Sequence, residues 1–562
     1  MSPVKNLLLT GLTLLVGCAH RASEPPRFNV VETEIPELQR ALAEGGVTSR
    51  QLVLEYLARI GVHQSRLNAA ASVNPRALEE ADVLDRERAQ GRVRGPLHGI
   101  PIALKDNIHT RDLPTTGGAV AFEGMRPPYE ATLASTLRER GAIILAKTVL
   151  TELANWVAAT PTPMPANYSA LFGHGLNPYD TRRDPRPGFD DGRGALSPGG
   201  SSSGTGTAAS LWAANVGTET SGSILNPANQ NMLVGIKPTL GRISRHGIIP
   251  ITANQDTAGP MARTVTDAAI LLGELERSAP DPNDAATRAC AAPANHDYRP
   301  FLQRAALRGA RIGIPRAFFF EPLSLPGDTN PRGGLNPEQA QLMADAIDAL
   351  RRAGAQIVDP ADIPSVVDPD PRENFLQWNQ CITAKGLDAH CSIVFKYSMK
   401  RDFNAWLASL GTSAPLGDLT ELRRFNSGHM ARGALRYGQA LLDVSDEIDL
   451  IGDRARYEAD RAKDLRLAGT QGIDAVMKHY RLDAVLFPGD WGRNISARPG
   501  YPTVVVPFGF YRLSPTPPWP AGFEPPRAPL GVSFAGGACS EPRLVALAYA
   551  FEQATRRREA PP

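Results

Sequence analysis

Cysteine is scarce in this chain, 5 among 562 residues, and no C-x-x-C pair or histidine cluster stands at metal-ligand spacing. No metal is therefore expected. Charge of one sign is also lacking. The 60 Lys and Arg against 58 Asp and Glu leave a formal net charge of +2 without a basic block, which argues against nucleic acid as a partner. The apolar run at residues 7–16 is too short to cross a bilayer. There is no internal repeat. No G-K-[ST] follows the Gly-rich stretch near residue 200, so a phosphate-binding loop is disfavoured. What is present is ordinary globular material: 42% hydrophobic residues, with 51 glycines and 49 prolines that call for many loops.

The N-terminus reads as an export signal, with Lys5 before a short apolar core and small residues after it. Its end, Leu15-Val16-Gly17-Cys18, resembles a bacterial lipobox. That resemblance implies removal of residues 1–17, lipidation of Cys18 and a tether over 18–30. It places the protein at the periplasmic face of the outer membrane or at the cell surface, membrane-bound through Cys18. Cys290, Cys381, Cys391 and Cys539 remain. Export permits disulfides, and Cys381 and Cys391 are close enough for a local bridge; four buried thiols are the other reading.

Strands alternate with helices along the chain, which argues for a layered α/β sheet. Thr48-Ser49-Arg50-Gln51 fits a capping box ahead of helical spacing at Leu52, Tyr56 and Ile60. Residues 76–90, 131–141, 264–276 and 337–353 read as helices, and a helix opens at Ser540. Residues 142–147, 310–315, 483–488, 503–509 and 530–534 read as strands; 231–238 and 247–251 read as short strands and turns. Residues 370–480 are mostly helical and read as a cap or insertion near the site. The segment 177–194 carries Asp180, Asp184, Asp190 and Asp191 at a spacing that fits no calcium loop, and reads as a solvated insertion.

Three stretches carry chemistry. Residues 97–107 read as a dense buried strand that ends in Lys105. Such a lysine is either a surface residue just past the strand or a desolvated amine able to act as a base. Lys147, at a second strand end, reads as structural. Around residue 200, Gly199-Gly200-Ser201-Ser202-Ser203-Gly204 combines backbone freedom with hydroxyls. Gly217-Thr218-Glu219-Thr220-Ser221-Gly222-Ser223 has the composition of a tight loop that presents N–H donors beside a serine, as acyl transfer requires.

Together, in this order, these stretches resemble the three blocks of the amidase signature family. Val234-Gly235-Ile236-Lys237-Pro238-Thr239, Gln255-Asp256-Thr257-Ala258-Gly259-Pro260-Met261 and Leu530-Gly531-Val532-Ser533-Phe534 add to the likeness, which spans roughly residues 33–558. The resemblance implies one amidase domain over 31–560, a layered α/β/α fold whose large twisted mixed β-sheet is flanked by helices. It implies hydrolysis of a small-molecule amide without a cofactor. It also implies a Ser–cis-Ser–Lys triad, with Ser223 as nucleophile, Ser201 as bridging serine and Lys105 as base. The N–H groups of Thr220, Ser221, Gly222 and Ser223 would hold the oxyanion, and Ser202 and Thr220 would hydrogen-bond to the relay. Two departures stand out. Ser221 occupies a position that is usually Gly or Asp, and the 22 positions from Ser201 to Ser223 are slightly fewer than usual.

Other readings compete. Gly200-Ser201-Ser202-Ser203-Gly204 matches a G-x-S-x-G nucleophile elbow, with Ser202 as nucleophile and His429 or His479 as base, but this leaves Lys105 and the Ser223 block unexplained. An amidotransferase subunit and a non-catalytic binding lipoprotein share the same motifs. Export speaks against the first, and a complete triad against the second.

Overall fold

The computed structural model describes residues 28–159, 161–200 and 204–562. The export signal, Cys18, Ser201 and Ser202 lie outside the described residues. Among the described residues thirteen strands are formed: β1 (Ala70–Val73), β2 (Pro101–Lys105), β3 (Ile143–Thr148), β4 (Tyr168–Ser169), β5 (Gly173–His174), β6 (Asn215–Glu219), β7 (Val234–Lys237), β8 (Thr257–Ala262), β9 (Arg311–Gly313), β10 (Gln356–Val358), β11 (Ala484–Pro488), β12 (Thr503–Arg512) and β13 (Arg527–Ala535). β4 and β5 form a separate hairpin. The other eleven form one mixed sheet in the order β1-β3-β2-β6-β8-β7-β12-β13-β11-β9-β10. β3, β2 and β6 are mutually parallel, as are β11, β9 and β10, while the strands between them run antiparallel.

Every residue of β2, β3, β6, β8 and β11 is buried. Dense apolar runs of this kind suit strands covered on both faces. The helix Val265–Leu275 packs on β8, and the helices Pro337–Arg352 and Glu541–Thr555 pack on β12. The large mixed sheet flanked by helices is the fold that the resemblance implies. The helix Ser49–Leu67 begins with the expected capping box: Gln51 N donates to Thr48 Oγ1 at 3.1 Å, and Thr48 N donates to Gln51 Oε1 at 2.8 Å. A second apolar cluster, with Phe122, Trp156, Met399, Phe403 and Trp406, sits beneath the helices Val394–Ser409, Leu419–Gly428 and Ala440–Asp446.

Several expectations need correction. Residues 217–219 belong to β6, so the tight loop begins only at Thr220. Residues 247–251 form no strand, only an isolated bridge from Ile248 to Ile108. The loop 177–194 is not simply solvated. Three of its four aspartates, Asp180, Asp184 and Asp191, pair with the arginine two positions on, and Arg186 stacks on Trp519 of the Pro-rich segment. Both cysteine pairs are disulfide-bonded, Cys290 with Cys539 and Cys381 with Cys391. Among the described residues no helix is long and apolar enough to cross a membrane.

Candidate active site

β2 and β6 run parallel in register, Ala103 beside Asn215 and Leu104 beside Val216. Both strands therefore leave the sheet at the same edge, where crevices open in α/β folds. Lys105 closes β2. It is completely buried, and its Nζ donates to Thr218 Oγ1 at 2.8 Å and to the Thr218 carbonyl at 3.1 Å. Asn107 Nδ2 reaches the same hydroxyl at 3.0 Å. Burial pushes the Lys105 amine down to about 7, against the pull of the Asp256 and Glu219 carboxylates. The amine is thus close to half neutral at neutral pH.

The loop after β6 is wrapped around a carboxylate. Glu219 is buried, and its Oε2 accepts from Ile224 N at 2.8 Å and Leu225 N at 2.9 Å, at the start of the helix Leu225–Gln230. The Gly222 N–H also serves this carboxylate, so one of the four donors expected for the oxyanion has a partner within the loop. Gly222 has φ +112°, and a Cβ there would lie 2.4 Å from Arg493 Cδ; only glycine fits. Ser221 Oγ donates to Asn494 Oδ1 at 2.7 Å. The unusual serine thus anchors the loop to the segment after β11.

The Thr220 hydroxyl donates to Asp256 Oδ1 at 2.5 Å, and its carbonyl accepts from Gln255 Nε2 at 3.0 Å. Asp256 Oδ2 accepts from Ile251 N at 2.8 Å and Thr252 N at 2.9 Å, and burial pushes this carboxyl up to about 6. It is Thr218 that touches the base. Thr218, Asn107, Glu219 and Asp256 stand within the motifs, but residue type along the chain gives them no role. The signal was available: strand periodicity puts Thr218 two places from Thr220, and two buried carboxylates beside a strand-end lysine need partners.

Gly199 and Gly200 themselves lie against the same helix. A Cβ on Gly199, at φ +80°, would meet Pro227 Cα at 2.4 Å, and Gly200 N donates to Asn226 Oδ1 at 2.9 Å. Gly200 and Ser223 line one cavity of about 320 Å³. Ile251, Trp156, Phe395 and Leu441 give it apolar walls, and Gln380 and Arg493 give it polar ones. His429 and His479, the candidate bases of the elbow reading, do not line this cavity. Lys147 donates to Ile108 O at 2.6 Å, Pro114 O at 3.2 Å and Thr115 Oγ1 at 3.0 Å, and faces Asp106 at 3.5 Å; it is a structural lysine.

A buried lysine of lowered basicity at a strand end, beside a glycine-dependent serine loop, defines a site suited to acyl transfer. The Amidase family profile matches residues 51–545. The chain belongs to the amidase family and is an amide-hydrolysing enzyme. It is 32% identical over 562 residues to a probable amidase of Arabidopsis thaliana, covering 99% of this chain and 96% of the plant protein. The crystal structure of the peptide amidase of Stenotrophomonas maltophilia superposes with a TM-score of 0.78 at 35% identity, covering 95% of this chain and 99% of that one. An amidase family protein of Bacillus anthracis gives a TM-score of 0.76 at 30% identity, covering 95% and 93%.

Proposed function

We propose that the enzyme hydrolyses its amide through a serine acyl-enzyme, with Ser223 as nucleophile, Ser201 as bridging hydroxyl and Lys105 as base. The observation that supports this most is the buried amine held at about 7 beside the end of β6. A neutral Lys105 takes a proton from Ser201 as Ser201 takes one from Ser223. The Ser223 oxygen then adds to the amide carbon, and the N–H groups of the 220–223 loop stabilise the oxyanion. Return of the proton expels the amine, and water, activated by the same base, releases the acid. By likeness to the peptide amidase, the acyl part is that of a peptide, which suits the apolar walls beside Ser223.

The enzyme is further proposed to be an exported lipoprotein anchored through Cys18. Two disulfides fit an oxidising compartment and weigh against a cytoplasmic amidotransferase subunit. A serine-directed fluorophosphonate tests the mechanism. It should label the wild type and not Ser223→Ala, and a panel of amides and esters should be turned over with the same dependence. No labelling would favour a binding protein, and labelling lost only in Ser202→Ala would favour the elbow. Membrane fractionation of wild type against Cys18→Ala tests the anchor; equal release into the soluble fraction would refute it.

A further inference from the structure

A second cavity, also of about 320 Å³, adjoins the one that holds Ser223. The two share Ala154, Thr220 and Ile251 as walls. Ser221, Gly222 and Ser223 open into the first. The second reaches Thr218 and Asn107, the side chains gathered around the Lys105 amine. We propose that this second cavity is the leaving-amine subsite, and that the enzyme takes N-substituted amides whose amine portion is an aryl or arylalkyl group. The proposal rests on the amidase reading above.

The chemistry decides which half of the substrate goes where. In the tetrahedral intermediate the acyl carbon is bonded to Ser223 Oγ, and the amine nitrogen has to depart. The C–N bond breaks and its electron pair stays on nitrogen. The proton that neutralises the nitrogen comes from the Lys105 side, and an oxyanion lone pair re-forms the carbonyl. A nitrogen that must receive this proton faces the base, while the acyl part stays with the serine. The two halves therefore separate across the shared wall, with the amine on the Thr218 side.

Size and lining set the amine's class. Ammonia needs no more room than water, whose share of the liquid is about 30 Å³. The second cavity is roughly tenfold larger than a primary carboxamide would use. Tyr129 stacks on His246 at 4.8 Å, and Trp406 closes the same side, so planar aromatic surface meets the ligand. Arg245 is committed to Asp284, which lowers its repulsion of an amine, and Asp402 adds an acceptor. The dividing wall is built rather than incidental. Leu153, Ala154 and Asn155 hold consecutive φ values of 43°, 57° and 73°, a left-handed turn that non-glycine residues rarely adopt. Leu153 N donates to Gly117 O at 2.8 Å and fixes it.

The test uses a matched pair, the carboxamide and the N-benzyl amide of whichever acid gives the fastest Ser223-dependent hydrolysis in the panel. Ala405 and Ser409 are exposed at the rim of the second cavity, so a large side chain there blocks the mouth without entering the core. The wild type should cleave both substrates. Ala405→Trp and Ser409→Trp should each lower kcat/KM for the benzyl amide at least tenfold relative to the carboxamide. Cleavage of the carboxamide alone by the wild type would overturn the subsite and leave the amidase reading intact. So would a ratio that moves less than twofold in both variants. If no amide in the panel is hydrolysed and Ser223 goes unlabelled, the amidase mechanism falls and the subsite with it.

Discussion

With Lys105 as the proposed base, the pH dependence of the reaction is expected to follow from the burial of one amine. Only neutral Lys105 can take a proton, and burial brings its pKa from 10.5 to about 7. At about 1.4 kcal/mol per pKa unit this is a net desolvation penalty of about 5 kcal/mol. An unshifted lysine would be neutral in only about one molecule in 3000 at pH 7; here the fraction is about one half. The acidic limb of kcat/KM should therefore have a midpoint near pH 7. Activity should fall to about 1% of the plateau at pH 5 and be flat above about pH 8. Asp256 favours the charged amine, so Asp256→Asn should move the limb to lower pH. Stopped assays across pH 4.5–10, on both proteins, measure this. A midpoint at 9 or above would refute the argument that burial tunes the base. A limb abolished by Asp256→Asn would make the carboxyl, itself pushed up to about 6, the group that titrates. Stability follows the opposite consequence of the same burial. The folded-state pKa lies below the unfolded one, so between about pH 7 and 10.5 the unfolded chain binds more protons and stability rises with pH. Lys105→Met should lose roughly 10²–10⁴ in activity, yet its urea midpoint at pH 7 should not fall below that of the wild type.

Three further outcomes are expected. Gly222→Ala forces a residue with φ +112° to carry a Cβ against Arg493, so kcat should drop at least tenfold, by about 1–3 kcal/mol of strain at the loop, with folding retained by circular dichroism. Thr220→Val removes the hydroxyl bonded to Asp256; kcat should fall about tenfold with KM little changed, and an equal loss in KM would indicate a binding role instead. Cys539→Ser opens a cross-link that spans 249 positions and should lower the unfolding free energy by about 2–5 kcal/mol; an unchanged denaturation midpoint would show that the bridge constrains nothing.

The strand ending in Lys105 was legible because five consecutive buried residues leave a run that alternation cannot explain. The helix Ser49–Leu67 was legible because its cap is local, made by side chains three residues apart. The loop of Ser223 was only half legible. Composition reveals glycine and hydroxyl residues, but whether residues 217–219 pair as a strand depends on β2 and β8, which lie far away in the chain. The pairing of Cys290 with Cys539, 249 positions apart, is likewise a property of folded proximity.

The same division separates the reactive groups from their chemistry. Order and spacing of the motifs by themselves determined the family, the α/β class and which lysine and serine to suspect, because these are carried by residue type along the chain. What suits Lys105 to the base proposed here, its lowered basicity, is set only in three dimensions. Basicity depends on how much water the folded chain removes from the amine and on which carboxylates stand nearby, and neither Thr218 nor Asp256 is brought to its place until the sheet has formed.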